Sequence, residues 1–236
     1  HLDIYGNAAS VEESFRLFAD KVDADHLFIP LKVQLKGNTV GIEEQANYEV
    51  KNIRIIDGFY HFDVQTPSEW IEDVKFGLPG RHNLSNAVIA LAMANKYGVS
   101  NEKIKAALAT FPGVRRRFSF QLRNEKCIYI DDYAHHPTEI AAVYQAVREL
   151  YPGKKVLAVF QPHLFSRTRD FIDGFAESLS KFDEIVLLDI YPARELPIEG
   201  VNSQWLLEKI TNNNKKLVAK SELISYPPMS SKYLSP

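Results

Sequence analysis

A chain of 236 residues with 45% hydrophobic and 25% charged side chains has the make-up of a soluble globular protein and the length for one large domain or two modest ones. Twenty-eight Lys and Arg against 30 Asp and Glu leave a formal charge of −2, which excludes a general basic field for nucleic acid or an anionic membrane. One cysteine, Cys127, excludes an internal disulfide and a multi-cysteine zinc site, and no apolar run approaches the roughly 18 residues that span a bilayer.

A cytoplasmic protein is therefore expected, and the opening His1-Leu-Asp-Ile-Tyr-Gly shows no signal-peptide pattern. A helix is predicted over 11–20, with Val11, Phe15 and Phe18 on one side, followed by strand-like runs at 26–29, 48–56 and 59–64. Asp57-Gly58 between the last two is a hairpin signal. Phe76-Gly-Leu-Pro-Gly80 reads as a turn, then a helix over 83–97 closed by Gly98. Its segment 87–94 is apolar all round and should be buried on nearly every face. A helix over 101–110 follows, capped by Ser100. Phe111-Pro-Gly-Val114 and Arg115-Arg-Arg117 then mark a domain boundary near residue 118.

Beyond it the pattern becomes strand–helix–strand–helix. Strands are predicted at 127–130, 155–160, 184–188 and 216–218, and helices at 137–151, 166–182 and 203–210. Continuous apolar strands alternating with helices predict an α/β fold with a parallel sheet covered on both faces. Cys127 should be an inert residue of the first of these strands.

Ligands of an open parallel sheet bind beyond the carboxyl ends of its strands. Three strands run there into polar clusters: Asp131-Asp-Tyr-Ala-His-His136, Gln161-Pro-His-Leu-Phe-Ser-Arg-Thr-Arg169 and Asp189-Ile-Tyr-Pro-Ala-Arg-Glu195. Each also has a plainer reading. The two aspartates or His136 could cap the next helix, Arg169 could pair with a surface acid, and Asn83 could cap its own helix. A metal site at His135-His136 needs two adjacent side chains to turn the same way. Arg167 falls in the first turn of its predicted helix, where a cation opposes the helix dipole, so a bound anion accounts for it. Arg115–Arg117 could be a solvated linker or a phosphate contact.

Gly80-Arg-His-Asn-Leu-Ser-Asn-Ala87, Gly113-Val-Arg-Arg-Arg-Phe118 and the three clusters above, in this order and spacing, resemble the Mur ligase family over roughly residues 1–210. The resemblance implies an ATP-dependent ligase that joins L-alanine to the carboxylate of UDP-N-acetylmuramate through an acyl phosphate, with Mg2+. It implies that residues 1–118 are the later part of a central ATP-binding domain and 119–236 a Rossmann-like C-terminal domain. It also implies roles for single residues. His1 would help hold magnesium; His82, Asn83 and Asn86 would contact adenine; Arg117 and Asp132 would reach the phosphates and ribose. Tyr133, His135, His163 and Arg167 would lie near the incoming amino acid, with His163 and Arg167 closest to the chemistry and Arg167 on the alanine carboxylate.

The departures carry equal weight. No Gly-Lys-Thr or Gly-Lys-Ser occurs, and Gly153-Lys154-Lys155 follows a helix rather than a strand. Leu164 stands where the family often has arginine. The sequence is thus expected to be a fragment, inactive alone. Three other readings stay open: a non-catalytic nucleotide- or anion-binding module, a relative that adds a recycled peptide to the same sugar, and a metal hydrolase using Asp131, Asp132, His135, His136 and His163.

Overall fold

The computed structural model describes residues 5 and 7–225. His1, and the tail from residue 226, lie outside the described residues. The chain divides into two units, residues 1–112 and 113–236.

The N-terminal unit is built on a five-stranded sheet of β1 (Phe28–Pro30), β2 (Asn38–Ile42), β3 (Tyr48–Ile56), β4 (Phe59–Gln65) and β5 (Trp70–Phe76), in that order. The first three strands are parallel and the last two pairings antiparallel. Asp57 and Gly58 adopt φ 52° and 80°, the left-handed pair that a two-residue hairpin requires, so Ile56 pairs with Phe59 as the dipeptide predicts. Alternation along β4 sends Tyr60, Phe62 and Val64 into the core, each at most 2% exposed. Two strands are absent from the sequence reading. In β2, Gly41 breaks the apolar pattern; a Cβ there would lie 2.3 Å from the Glu44 carbonyl. In β5, Glu72 and Asp73 form a bulge opposite Asp63, with Asp73 at φ 49°. The strand expected from residue 26 begins at Phe28, because Asp23 accepts from the Asp25 amide and opens a short 3₁₀ turn.

Helices α1 (Ala8–Ala19), α2 (Arg81–Lys96) and α3 (Asn101–Ala109) complete this unit. Leu84, Ala87, Val88, Leu91 and Ala92 of α2 pack into the sheet core. The expectation of burial all round fails on the other face, where Ala90 and Met93 are exposed. In α1 the predicted apolar side is also solvent-facing: Phe15 and Phe18 are 65% and 68% exposed.

The C-terminal unit holds a parallel sheet of β8 (Leu157–Phe160), β9 (Glu184–Leu187) and β10 (Lys215–Leu217), ordered β10-β9-β8, with an antiparallel pair β6 (Ser119–Arg123) and β7 (Ile128–Asp131). Ile185, Val186 and Leu187 of the central strand are fully buried. Side chains pointing to opposite faces are buried alike, which is the condition for a sheet covered on both sides. Helices α4 (Pro137–Leu150), α6 (Ile172–Leu179) and α7 (Ser203–Lys209) supply its core through Ile140, Phe175, Leu179 and Leu206. The architecture is α/β, as expected. Strand β6 is absent from the sequence reading although Phe120 and Leu122 alternate with polar neighbours; it is only five residues long and pairs with β7 through a register shift. Cys127 is not a core strand residue: it is half-buried in the turn before β7, its amide bonded to Asn124 Oδ1 at 2.8 Å. The single helix expected over 166–182 is broken. Phe171 leaves helical geometry at φ −120° and separates a six-residue helix, α5 (Phe165–Asp170), from α6. Among the described residues no helix is long and apolar enough to cross a membrane.

Candidate functional site

The polar clusters after β8 and β9 are zipped together beyond the ends of their strands. Leu188 donates to Phe160 at 2.9 Å, Tyr191 to Pro162 at 2.8 Å and Leu164 to Tyr191 at 3.0 Å. His163 and Tyr191 form a parallel bridge. The ladder extends the pairing of β8 and β9 into both loops. The chain then turns into α5 through Leu164, whose φ of 74° is strained for a branched side chain. Leu164's carbonyl accepts from the amide and hydroxyl of buried Thr168 at 3.1 and 2.8 Å.

Because α5 has only six residues, Arg167 and Arg169 lie in its last turn. The helix-dipole reason for an anion at Arg167 therefore falls. Arg169 is paired with Asp170 at 2.8 Å, the plainer of its two readings.

The loop after β7 is pinned by Asp132, whose Oδ2 accepts from the Phe118 amide at 2.7 Å and Oδ1 from Ala134 at 2.8 Å. Tyr133 donates its amide to Arg116 at 2.8 Å, and the Arg116 guanidinium covers the Tyr133 ring at 4.5 Å. His135 donates Nδ1 to the Tyr133 carbonyl at 2.7 Å, and its amide donates to Glu139 at 2.8 Å. Arg117 reaches the same carboxylate at 3.8 Å. The three loops meet as a row of rings: Tyr133 to His135 at 4.8 Å, His135 to His163 at 6.2 Å and His163 to Tyr191 at 5.5 Å.

His136 turns away from this row. It caps α4, its side chain accepting from the Thr138 amide, and its ring packs on Phe171 at 4.5 Å. Adjacent histidines thus point apart, and among the described residues no three His, Cys, Asp or Glu side chains are grouped to hold a metal ion.

Two atoms of the rim stand out. His163 Nδ1 and Arg167 Nη1 are buried with no hydrogen-bond partner; the only other such side-chain atom among the described residues is the Tyr151 hydroxyl, away from the rim. An unpaired buried polar atom costs about 1–3 kcal/mol, so its persistence in a cleft is a mark of a group waiting for a partner. Arg116, Phe118, Leu164 and Ala193 in the segments that form the rim all have positive φ.

Burial, reinforced by Arg167 and His135, pushes His163 below the ordinary histidine range; burial does the same to His136. Both are neutral at pH 7. A lowered folded value means the unfolded chain binds the extra proton first, so this contribution to stability is complete above about pH 6.5 and is lost as pH falls below it. Ring-proton NMR should show both histidines titrating below about pH 6.5, and a midpoint above that value for His163 would contradict the burial argument.

In the N-terminal unit, the candidate residues His82, Asn83 and Asn86 sit in the first two turns of α2. Gly80 caps that helix at φ 97° with its amide on the buried Tyr60 hydroxyl at 3.0 Å. Asn83 does not cap the helix by accepting a backbone N–H; it donates Nδ2 to the Pro79 carbonyl at 2.6 Å. His82 and Asn86 are exposed on the same side of the helix. The magnesium expectation at His1 falls outside the described residues.

Two family models match this chain: the Mur ligase middle domain over residues 1–94 and the Mur ligase glutamate ligase domain over 116–226. The chain belongs to the Mur ligase family. A UDP-N-acetylmuramate–L-alanine ligase of Flavobacterium psychrophilum is 65% identical over 225 residues, 95% of this chain and 50% of that protein. The crystal structure of a UDP-N-acetylmuramate–alanine ligase from Thermotoga maritima superposes with a TM-score of 0.74 at 25% identity, over 95% of this chain and 50% of the other. A folylpolyglutamate synthase of Mycobacterium tuberculosis, complexed with ADP, shares the fold at a TM-score of 0.64 and 17% identity, over 89% and 43% of the two chains. The chain spans about half the length of the relatives it matches.

Within this Mur ligase the rim unites Asp132, Tyr133, His135, His163 and Arg167, five of the residues expected from sequence. Sequence reasoning missed the parts that hold them: Arg116 over Tyr133, the Tyr191 bridge, and a tie between Ser166 and Glu195. The three clusters contain Tyr191, Ser166 and Glu195, and Arg116 lies in the Gly113–Phe118 segment, but no spacing rule pairs Ser166 with Glu195, 29 positions apart.

Proposed function

We propose that the chain forms part of an ATP-dependent ligase that joins L-alanine to the carboxylate of UDP-N-acetylmuramate in peptidoglycan precursor synthesis, a cytoplasmic reaction. Residues 1–118 would be the later part of its central ATP-binding domain and 119–236 its C-terminal Rossmann-like ligase domain. The observation that carries the reading is the pair of buried, unpartnered atoms at His163 and Arg167, joined to high identity with alanine ligases.

Making an amide from a carboxylate requires an activated acyl group, and ATP supplies the phosphoryl group that creates it. The protein's task is then to present the amine. Arg167, anchored in α5, offers its free Nη1 to the alanine carboxylate through a charge-assisted bond. His163, held neutral beside it, can take the proton that the alanine ammonium must lose before its nitrogen attacks. Tyr133 and His135 wall the same space. Arg117 and Asp132 reach the nucleotide, though both Asp132 oxygens already accept an amide and leave only their remaining lone pairs for ribose. His82 and Asn86 present the open polar edge of α2 to adenine, with Asn83 beside them. Mg2+ is proposed for its charge neutralisation, with His1 as a ligand; the described residues form no metal cluster.

The test is phosphate release by a protein carrying this chain together with the remaining length its relatives have. Release should require both UDP-N-acetylmuramate and L-alanine. Faster turnover with a tripeptide than with alanine would overturn the choice of amine. No ATP consumption with any amine would hand the chain to the non-catalytic binding module.

A further inference from the structure

Glu195 belongs to the β9 loop and has no role in the proposal above. Its carboxylate reaches the start of α5, where the Ser166 amide donates to Oε2 at 2.9 Å and the Ser166 hydroxyl donates to Oε1. The Phe165 amide and the Arg167 charge lie close enough to act on it as well. Burial alone would raise its pKa, but these hydrogen bonds outweigh burial and hold it below the usual carboxylate range. It is therefore ionised at neutral pH.

The helix it grips cannot hold itself. Six residues are too few for an isolated helix, and Leu164, its N-cap, brings no side-chain acceptor and a strained φ. The Ser166 amide of the first turn is satisfied by a side chain from another loop. Next in the chain is Arg167, in the last turn of this short helix, and one residue ahead of Leu164 lies His163. Each has a buried polar atom left without a partner.

We infer that Glu195 is a positioning residue: by clamping the first turn of α5 to the β9 loop it aims Arg167 and His163 at the amino-acid substrate. The inference rests on the alanine-ligase reading for its kinetics, while the clamp itself can be measured without turnover.

In the full-length ligase, Glu195→Ala should raise the alanine KM about tenfold and leave the ATP KM within about twofold. Glu195→Gln keeps one acceptor oxygen and should fall between the two proteins. A clamp that merely stabilised the fold would move both constants together; equal factors on alanine and ATP would overturn the inference, as would no change in either. Independently, the Nε–H resonance of Arg167 should shift in Glu195→Ala and stay in place in Lys209→Ala, which breaks a surface pair with Asp173. An unmoved Arg167 resonance in Glu195→Ala would overturn the positioning role whatever the kinetics. If the unaltered protein releases no phosphate with alanine, the ligase reading fails, and a shifted resonance would still support the clamp.

Discussion

Arg167→Ala is expected to raise the alanine requirement of the full-length ligase by about 30- to 900-fold, the kinetic equivalent of about 2–4 kcal/mol for a buried charge-assisted bond to a carboxylate. The figure belongs at the upper end for this class because part of the guanidinium is already desolvated. One nitrogen is buried with nothing bonded to it, so much of the cost of burial is met in the fold and need not be met again on binding. The ATP KM should change by no more than about twofold, since an interaction with one substrate alone moves the constant of that substrate. Arg167→Lys preserves the charge but loses the planar fork, and should recover part of the affinity. Initial rates over a matrix of alanine and ATP concentrations decide the matter. An unchanged alanine KM would refute the assignment, and a parallel rise in both would transfer Arg167 to the phosphate side of the reaction.

The reason Arg167 was legible in the sequence differs from the reason the structure supports it. A single helix over 166–182 would set Arg167 against its dipole, but the helix breaks at Phe171. What survives is the position of the loop at the carboxyl end of β8, which follows from strand–helix alternation and needs no helix boundary to be right. Elements with strong local signals were read correctly: the Asp57-Gly58 hairpin, Pro137 opening α4 and Gly98 closing α2. The failures have two causes. Strands β5 and β6 pair with their sequence neighbours β4 and β7, but a bulge in each hairpin shifts the register and interrupts the regular pairing. The Phe171 break is different: its ring packs on His136, 35 positions earlier, and no window of local residues carries that contact. The Glu195 clamp on Ser166 is the same case on a functional scale. His135-His136 shows the reverse, since the local rule that neighbours point apart was enough to argue against a shared ion.

The packing beneath the site makes the second large effect. Phe175→Ala should destabilise the C-terminal unit by about 3–5 kcal/mol, the range for emptying a buried phenylalanine site. Phe175 is fully buried, and its ring lies 5.6 Å from that of Phe160, the last residue of β8. Against a total of about 5–15 kcal/mol for a typical domain, that loss is about a fifth or more of the stability. The chain reports on this unit through its own fluorescence. Of its two tryptophans, Trp205 packs against the Phe175 core, while Trp70 lies in the N-terminal unit. In a Trp70→Phe background, Trp205 emission followed through a urea titration should show the midpoint falling sharply for Phe175→Ala. Phe175→Leu, which fills more of the space, should lose less than half as much. A loss below about 1 kcal/mol would mean that the core collapses around the gap. Because Phe160 leads directly into Gln161-Pro-His163, the cavity should also loosen the bridge between His163 and Tyr191. The alanine KM of Phe175→Ala should then rise at temperatures where the unit is still folded, although Phe175 touches no substrate. The packing of α6 against the sheet and the aim of His163 are in this sense one structural feature, and the mutation tests them together.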